Sequence, residues 1–253
     1  MPDAVHDVEG LGRAWAHAIQ GAPCDRVARW EHGTVVEAAK YPNVYFHNAV
    51  RVEEDVVLTA DELMSLADAA LGSRCHLIVV ERANAAAILR DELEKLGWLV
   101  LRQVLMIHDQ PLAALRPGPT RVSAVDYDLV HELRVQWHAE DFPGVDPGGY
   151  FAEQRAIAEA SDSTVLARVE KGRPVGFAEI KRIGDDAEIT QVYVTPAHRG
   201  RGLGTALTGA AIEHHKALRR LWITADADGR PRQLYGRLGF RGAWESTEFL
   251  LHA

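Results

Sequence analysis

Short apolar runs and amphipathic segments alternate along residues 120–253. "TRVSAV" predicts a strand, and Asp126 is placed to cap a helix over "YDLVHELRVQWHAE". Asp146-Pro147 predicts the start of a second helix over "GYFAEQRAIAEA", since proline favours the first helical turn. The segment "STVLARVEKGRPVGFAEIKRIGDDAEITQVYV" predicts two or three strands, with hairpin turns at Lys171-Gly172 and Gly184-Asp185-Asp186.

The rest of this half continues the alternation of helix and strand. Apolar positions recur on one helical face over about residues 203–217. "RLWITAD" predicts a strand, and "RPRQLYGRL" predicts a helix that ends at Gly239. "FRGAWESTEFLLHA" predicts closing β-structure.

The end of the first half has the same order of elements. Residues 76–108 and 220–252 both give strand, helix, Leu-Gly-aromatic and strand, with "LGW" at 96–98 and "LGF" at 238–240. We interpret this as a tandem, divergent repeat of one fold. Chance recurrence of a common αβ order is the alternative.

A proline-rich segment separates the two halves. "QPLAALRPGPT", residues 110–120, carries three prolines and a glycine, and proline disfavours helix before it. The sequence therefore predicts a linker, with one domain over residues 1–115 and another over 116–253.

Composition restricts the class of partner and the compartment. The 253 residues carry a formal net charge of −8, which argues against nucleic acid or an anionic membrane as a partner of the whole surface. Cys24 and Cys75 have neither metal-ligand spacing nor a disulfide framework. With no signal-like start and no apolar run of membrane length, a cytoplasmic location is expected.

One segment, "TPAHRGRGLGTAL" at 195–207, predicts a local anion site. Residues 199–220 contain five Lys/Arg and one Glu, against the acidic balance of the chain. A helix start presents unpaired N–H groups, and glycines allow a bulky anion to approach the backbone closely. A phosphate or pyrophosphate is the expected ligand. A tight turn with solvated arginines is the alternative.

Two common phosphate-binding patterns do not fit this segment. Gly204-Thr205 lacks the lysine of a Walker loop. The dinucleotide pattern G-x-G-x-x-G fails in both frames, which end at Thr205 and Leu207.

The segment resembles a known family. Arg199-x-x-Gly202-x-Gly204 after "EITQVYVTPAHRG" resembles the R/Q-x-x-G-x-G/A motif of the GNAT N-acetyltransferase superfamily, and "RQLYGRLGF" at 232–240 resembles its downstream element. The resemblance covers about residues 119–253. It implies an α/β fold with a mixed α+β sheet, arranged as tandem GNAT-like acyl-CoA N-acyltransferase folds of which the C-terminal one is complete.

The resemblance also implies acetyl-CoA as co-substrate, with no metal. Its pantetheine arm would bond the backbone of the strand residues Val192, Tyr193 and Val194, where that strand splays from its neighbour near a bulge. These residues also fit a plain β-core. The pyrophosphate would be held by the loop and first helical turn, namely Arg199, Gly200, Arg201, Gly202, Leu203, Gly204 and Thr205.

Acyl transfer to an amine needs a base, an oxyanion stabiliser and a proton for the leaving thiolate. By resemblance Glu188 is the first candidate base, with Glu179, Glu140 or a water relay as alternatives. Tyr235 would protonate the departing sulfur, and the Val194 N–H would stabilise the oxyanion. Glu188 also fits a solvent-facing strand residue, and Tyr235 fits a core aromatic.

The chain departs from the family at two positions. Asp228 and Pro231 stand where relatives often have Asn and Ala. Asp228 would bring negative charge close to the cofactor.

The first half lacks these features. Aligning "LGW" with "LGF" places Leu93 opposite Tyr235, and Thr59-Ala-Asp61-Glu62 predicts a capped helix whose acids would repel a pyrophosphate. We expect a degenerate GNAT-like domain that buttresses the other or supplies a wall of its substrate cleft.

The acceptor site is predicted around "WHAEDFPGVDPGGYF". Trp137, Glu140, Asp141, Phe142 and Tyr150 fit an acidic, aromatic cleft for a cationic amine, or equally an ordinary loop. The expected function is transfer of acetyl to a primary amine of a small molecule or peptide, by direct attack in a ternary complex. A non-catalytic acyl-CoA-binding or regulatory protein, or a structural partner that docks through the first half, is the alternative. A monomer and a homodimer both fit the sequence.

Overall fold

The computed structural model describes residues 7–72, 77–108 and 121–251. The predicted linker, the domain boundary and Cys75 lie outside these residues, so the boundary stays a prediction.

The described residues of the first half contain three α-helices and five strands. Thr59 and Glu62 cap α2 reciprocally, because Thr59 Oγ1 accepts from the Glu62 N–H and the Glu62 carboxylate accepts from the Thr59 N–H at 2.9 Å. The predicted cap is therefore present. The elements are α1 (Val8–Gly21), β1 (Arg26–Trp30), β2 (Gly33–Glu37), β3 (Asn48–Val52), α2 (Ala60–Leu71), β4 (Leu77–Val80), α3 (Ala83–Lys95) and β5 (Leu99–His108).

The second half follows the predicted order. Two details differ. Asp126 precedes a short 3-10 helix, Tyr127–Val130, and its side chain makes no capping hydrogen bond there. The second helix begins at Tyr150 with Gly149 as its N-cap, so Asp146 and Pro147 lie before its first turn. The elements are β6 (Ser123–Val125), α4 (His131–Asp141), α5 (Tyr150–Ala160), β7 (Asp162–Glu170), β8 (Arg173–Ile183), β9 (Asp186–Val194), α6 (Leu203–His214), β10 (Arg220–Asp226), α7 (Arg230–Arg237) and β11 (Arg241–Leu250).

The eleven strands of the described residues form one mixed sheet in the order β1-β2-β3-β4-β11-β5-β10-β9-β8-β7-β6. The order is symmetric about the β11–β5 pair, because β3-α2-β4-α3-β5 corresponds to β9-α6-β10-α7-β11. Each half therefore completes its sheet with the last strand of the other half: β11 pairs with β4, and β5 pairs with β10. This geometry supports the predicted repeat and joins the halves through an exchange of strands.

Helices cover both faces of the sheet. The α6 and α7 helices pack with buried residues of β5, β9 and β10, and α2 and α3 pack on the same face over β3 and β4. On the opposite face, α1 packs on β5 and β10 through Trp15 and Ile19, and α4 packs on β7 to β9. The central strands are therefore buried on both faces.

Candidate active site

The parallel strands β9 and β10 separate at the centre of the sheet. Their pairing ends at Ile189 and Ile223, although β9 continues to Val194 and β10 to Asp226. The pairing of β8 with β9 shifts register at Thr190, which gives β9 one extra residue there. A gap therefore opens between two adjacent strands beside a bulge, as the resemblance implied.

The backbone of β9 turns polar groups towards this gap, and one of them, the Val194 carbonyl, accepts from Arg199 Nε at 2.9 Å. The Thr195 N–H donates to the Val175 carbonyl at 3.1 Å, which makes the neighbouring pair Val194–Gly176 a non-hydrogen-bonded one. The N–H and C=O of Val194, and of Val192 two residues earlier, point away from β8 towards the gap. A ligand arm in the gap would meet these groups.

The glycine-arginine loop leads directly into α6. Gly200 and Gly202 have φ of 75° and 78°, and Gly202 is the N-cap residue. Nothing lies within 4 Å of a Cβ built at either glycine, so the space beside the loop is open. Helix geometry leaves the N–H groups of the first turn, Leu203 to Thr205, without intrahelical partners.

A cavity of about 620 Å³ lies against this loop. We call it the loop cavity. It fits the requirement for a bulky anion, because the glycine backbone, the helix start and the β9 backbone border it together. Its lining includes Val192, Tyr193, Val194, Arg199, Gly200, Gly202, Leu203, Gly204, Thr205 and Tyr235.

Arg199 joins the loop to α4. Its guanidinium donates to Glu140 and, through Nε, to the Val194 carbonyl at 2.9 Å. The Tyr193 hydroxyl donates to the other oxygen of Glu140 at 2.7 Å. Glu140 therefore lies at the loop cavity and has two partners, whereas Arg201 is exposed and outside the cavity lining.

Tyr235 lines the loop cavity from α7. It is 8% exposed and packs against Phe240, and burial raises its pKa to about 12. A phenol of raised pKa stays protonated and can donate a proton to a thiolate. Asp228 lies elsewhere: its carboxylate accepts from Arg102 on β5 at 3.0 and 3.2 Å, and it is absent from the cavity lining.

A second cavity, of about 600 Å³, lies on the other face of the sheet between the halves. We call it the central cavity. The first half contributes α1 and the residues around Tyr41 and Phe46, and the second half contributes α4 and α5. Polar side chains of five adjacent strands form the floor, from β8 to β11: Lys181, Glu188, Thr190, Thr224, Gln103, Ser246 and Glu248.

Glu188 is placed where the gap begins. It is 6% exposed, and its carboxylate accepts from Trp15 Nε1 at 2.7 Å and from Thr224 Oγ1 at 3.0 Å. Burial raises its pKa, while these two hydrogen bonds and the charge of Lys181 oppose that effect. A buried carboxylate with a raised pKa is a stronger base than an exposed one and is suited to take a proton.

The alternative base Glu179 has a different role. Its carboxylate accepts from Arg134 at 2.7 Å in an ion pair whose side chains are both nearly inaccessible. Arg134 also donates to Gln191 and lies over the rings of Tyr127 and Phe177. This arrangement holds α4 to the sheet.

The predicted acceptor loop forms an aromatic cluster. Trp137 packs against Phe142 and Tyr150, with ring centroids 5.8 and 6.4 Å apart. Trp137 lines both cavities, whereas Phe142 and Tyr150 line neither. Trp137 is thus a predicted acceptor residue that borders both cavities.

His17, Glu53 and Glu81 bring possible metal-ligand atoms within 4.8 Å of one another. Arg13 already donates to both carboxylates, at 3.1 Å to Glu53 and 2.5 Å to Glu81, and Arg29 donates to Glu53 at 2.9 Å. His17 lies 2.5 Å from Glu81. The cluster is an ion-pair network that ties α1 to the ends of β3 and β4.

Sequence reasoning expected the first half to buttress the second or to supply a wall of its substrate cleft, but it did not identify several residues that line the central cavity. Trp15, Gln103 and Glu248 carry no motif, and their place at the site depends on packing between elements far apart in sequence. Thr224 gave a weak signal, as a polar residue on the face of "RLWITAD" that also carries Trp222.

Comparison with known proteins agrees with this geometry. Residues 132–240 match the model of the Acetyltransferase (GNAT) family. A GCN5-related N-acetyltransferase from Kribbella flavida shares 19% identity, with 98% of this chain and 96% of that chain covered at a TM-score of 0.61. A tandem GNAT protein from the clavulanic acid biosynthesis pathway shares 16%, with 97% and 87% covered at a TM-score of 0.52.

The match to the family model lies within the second half, and the likeness to solved structures concerns the fold of the whole chain. The chain carries a GNAT acetyltransferase-family domain within a tandem GNAT fold. Among curated relatives, a mycothiol acetyltransferase from Arthrobacter sp. (strain FB24) is 28% identical over 225 residues, which cover 85% of this chain and 57% of the relative. The chain spans less than two thirds of the length of the mycothiol acetyltransferases that it matches.

No helix within the described ranges is long and apolar enough to cross a membrane.

Proposed function

We propose that the chain transfers an acetyl group from acetyl-CoA to a primary amine by direct attack in a ternary complex. The observation that carries the proposal is the gap between β9 and β10. The glycine loop and Tyr235 border the loop cavity on one side of it, and Glu188 with Thr224 borders the central cavity on the other. A thioester bound from one side would therefore face an amine bound from the other.

The loop cavity suits the co-substrate. The amides of the loop and of the first turn of α6, from Gly200 to Thr205, would bind the pyrophosphate. The backbone groups of Val192 and Val194 would bond the pantetheine arm. Acetyl-CoA supplies an activated acetyl thioester. Arg199 would exchange its contact with Glu140 for a phosphate only at the cost of that ion pair, so the amides are the principal ligands.

Glu188 and Tyr235 supply the proton transfers. A lysine-like amine has a pKa near 10.4 and is mostly protonated at neutral pH, so a base must take its proton. Glu188 would accept it directly or through a water molecule. The Val194 N–H would stabilise the oxyanion, and Tyr235 would donate a proton to the leaving sulfur.

Where the structure describes the first half, its strands show no equivalent opening. β3 and β4 pair along the whole of β4, and the Glu81 N–H continues the pairing with the Val52 carbonyl at 3.0 Å. Leu93, opposite Tyr235, is buried in the core. These features support a first half that has no cofactor site and supplies a wall of the central cavity.

The acceptor is a small-molecule or peptide amine. The relatives include proteins named mycothiol acetyltransferase and one named putative ribosomal-protein bS18-alanine N-acetyltransferase, so the names of relatives cover both kinds. The central cavity, with carboxylates and cations on its floor and walls, suits a polar acceptor.

The test begins with binding and continues with turnover. Acetyl-CoA at saturation should raise the midpoint of thermal unfolding, because a ligand of the native state stabilises it. A panel of primary amines is then scored by release of free thiol. With an accepted amine, Glu188→Gln and Tyr235→Phe should each slow turnover by about 10²-fold or more.

The outcomes separate the alternatives. Stabilisation by acetyl-CoA without thiol release from any amine would favour the acyl-CoA-binding alternative. Full activity of both variants would refute the assigned roles. Failure of acetyl-CoA to stabilise the chain would refute the whole proposal.

A further inference from the structure

The helix α1 of the first half reaches the candidate base of the second. Trp15 Nε1 donates to Glu188 Oε2 at 2.7 Å, and Thr224 Oγ1 donates to Oε1 at 3.0 Å. Trp15 and Glu188 are each 6% exposed. The two donors hold both carboxylate oxygens and so fix the plane of the carboxylate.

Trp15 is itself held firmly. Its ring stacks on Trp222 with centroids 6.1 Å apart and an interplanar angle of 9°. It packs with Ile19, Leu105 and Ile107 in one buried cluster. Two residues before and two after Trp15 on α1, Arg13 and His17 bond to Glu81, and Arg13 also bonds to Glu53, so the helix is fixed at the ends of β3 and β4.

We propose that Trp15 is a positioning residue for Glu188, and that through this hydrogen bond the first half sets the pH range in which the second half is active. The proposal rests on Glu188 acting as the base of the proposed function. The first half would then have a defined role, because α1 sets the orientation of the carboxylate and its readiness to accept a proton.

Other groups around Glu188 also affect the ionisation of its carboxylate. Lys181 on β8 is the charged residue whose attraction stabilises the carboxylate, and Lys181 lies 3.8 Å from Glu179. Trp15 from α1 and Thr224 from β10 are its hydrogen-bond donors. The other titratable groups that line the central cavity are His17, Asp25, Lys40, Tyr41, His47, Arg51, Arg182 and Glu248.

Loss of the indole N–H should shift the pKa of Glu188 in a defined direction. The bond favours the ionised carboxylate, so its removal disfavours that form and moves the titration of Glu188 to higher pH. A hydrogen bond to a charged group corresponds to about one pH unit. On the acid side of the profile, kcat/KM should then fall about tenfold and recover at higher pH.

The experiment uses the full chain and needs no acceptor. Glutamate labelled with ¹³C at the side-chain carboxyl is incorporated, and the Glu188 signal is assigned by its loss in Glu188→Gln. The midpoint of the pH titration of this signal is measured in the unaltered chain, in Trp15→Phe, and in a chain with 3-benzothienylalanine at position 15. The benzothienyl side chain keeps the shape of the indole ring without its N–H. Trp222→Phe is the matched control, because it replaces the stacking partner with a smaller ring and leaves the donor.

Both replacements of Trp15 should raise the midpoint by about one unit, and Thr224→Val should act in the same direction. Trp222→Phe should leave the midpoint within a few tenths of a unit. An unchanged midpoint with the benzothienyl side chain overturns the proposal, whatever the activity. Normal turnover of Glu188→Gln would refute instead the role of Glu188 as the base.

Discussion

Glu248 is a second carboxyl group on the floor of the central cavity, and its ionisation acts on stability. Burial raises its pKa from 4.5 to about 7, and a hydrogen bond from Gln103 opposes this only in part. Between these two values the folded chain keeps a proton that the unfolded chain has lost. The folded state then binds more protons, so stability falls as the pH rises through this window.

Glu248→Gln should therefore stabilise the chain at pH 8 and have little effect near pH 4.5. The amide replaces the neutral carboxyl and removes the cost of ionising it in the cavity. After allowance for the partial exposure of Glu248, we expect about 1–2 kcal/mol at pH 8. Chemical denaturation across this pH range measures the difference. Glu245→Gln, at an exposed position of the same strand, is the control. A stability difference independent of pH would contradict the prediction.

At the scale of elements, the turn into α6 depends on one backbone conformation. Gly202 has φ of 78° at the N-cap of the helix, where other residues incur strain of about 1–2 kcal/mol. The open space beside its α-carbon is the space assigned to the pyrophosphate. A methyl group there would both strain the loop and displace the anion.

Gly202→Ala is expected to weaken binding of acetyl-CoA at least tenfold and to lower thermal stability slightly. Titration calorimetry measures the affinity. Gly236→Ala is the matched control, because Gly236 lies within α7 and nothing is within 4 Å of its added Cβ. That substitution favours helix and should leave the affinity unchanged. Equal affinities for both variants would remove the loop from the cofactor site.

Local patterns predicted much of the fold. The turns at Lys171-Gly172 and Gly184, the Thr59 cap and the helix after Gly202 follow from residues a few positions apart. The strand exchange did not follow, because "LVLRQVLMIH" and the run after Gly239 have similar apolar character and neither pattern specifies its neighbour. The contact from Trp15 to Glu188 spans 173 residues and depends on how α1 packs across β5 and β10.

Local patterns likewise predicted only part of the candidate site, because they do not specify contacts between distant segments. The glycine loop and Tyr235 were predictable because a resemblance fixes their spacing, and both line the loop cavity. Asp228 was predicted at the cofactor by position alone. In the structure Arg102, from a strand of the first half, is its partner. The place of Glu140 at the loop cavity likewise depends on Arg199 and on the packing of α4.

At the scale of the molecule, the exchanged strands make the two halves one cooperative unit. β5 pairs with β11 on one side and with β10 on the other, so unfolding either half removes a partner strand from the other. Exposed strand edges in the centre of an eleven-stranded sheet would be unstable and prone to aggregation. One unfolding transition is expected for the whole chain.

Calorimetry tests the prediction of a single unfolding transition with one perturbation in each half. Ile78 on β4 is fully buried and pairs with Phe249 of β11, so Ile78→Ala should cost about 2–5 kcal/mol. It should lower the midpoint of the single transition, and acetyl-CoA, bound at the other half, should raise that same midpoint. Phe46→Ala, at a partly exposed position of the first half, is a control that should shift the midpoint much less. If two transitions appeared, and each perturbation moved only one of them, the halves would be independent domains. The exchanged strands would then not couple them.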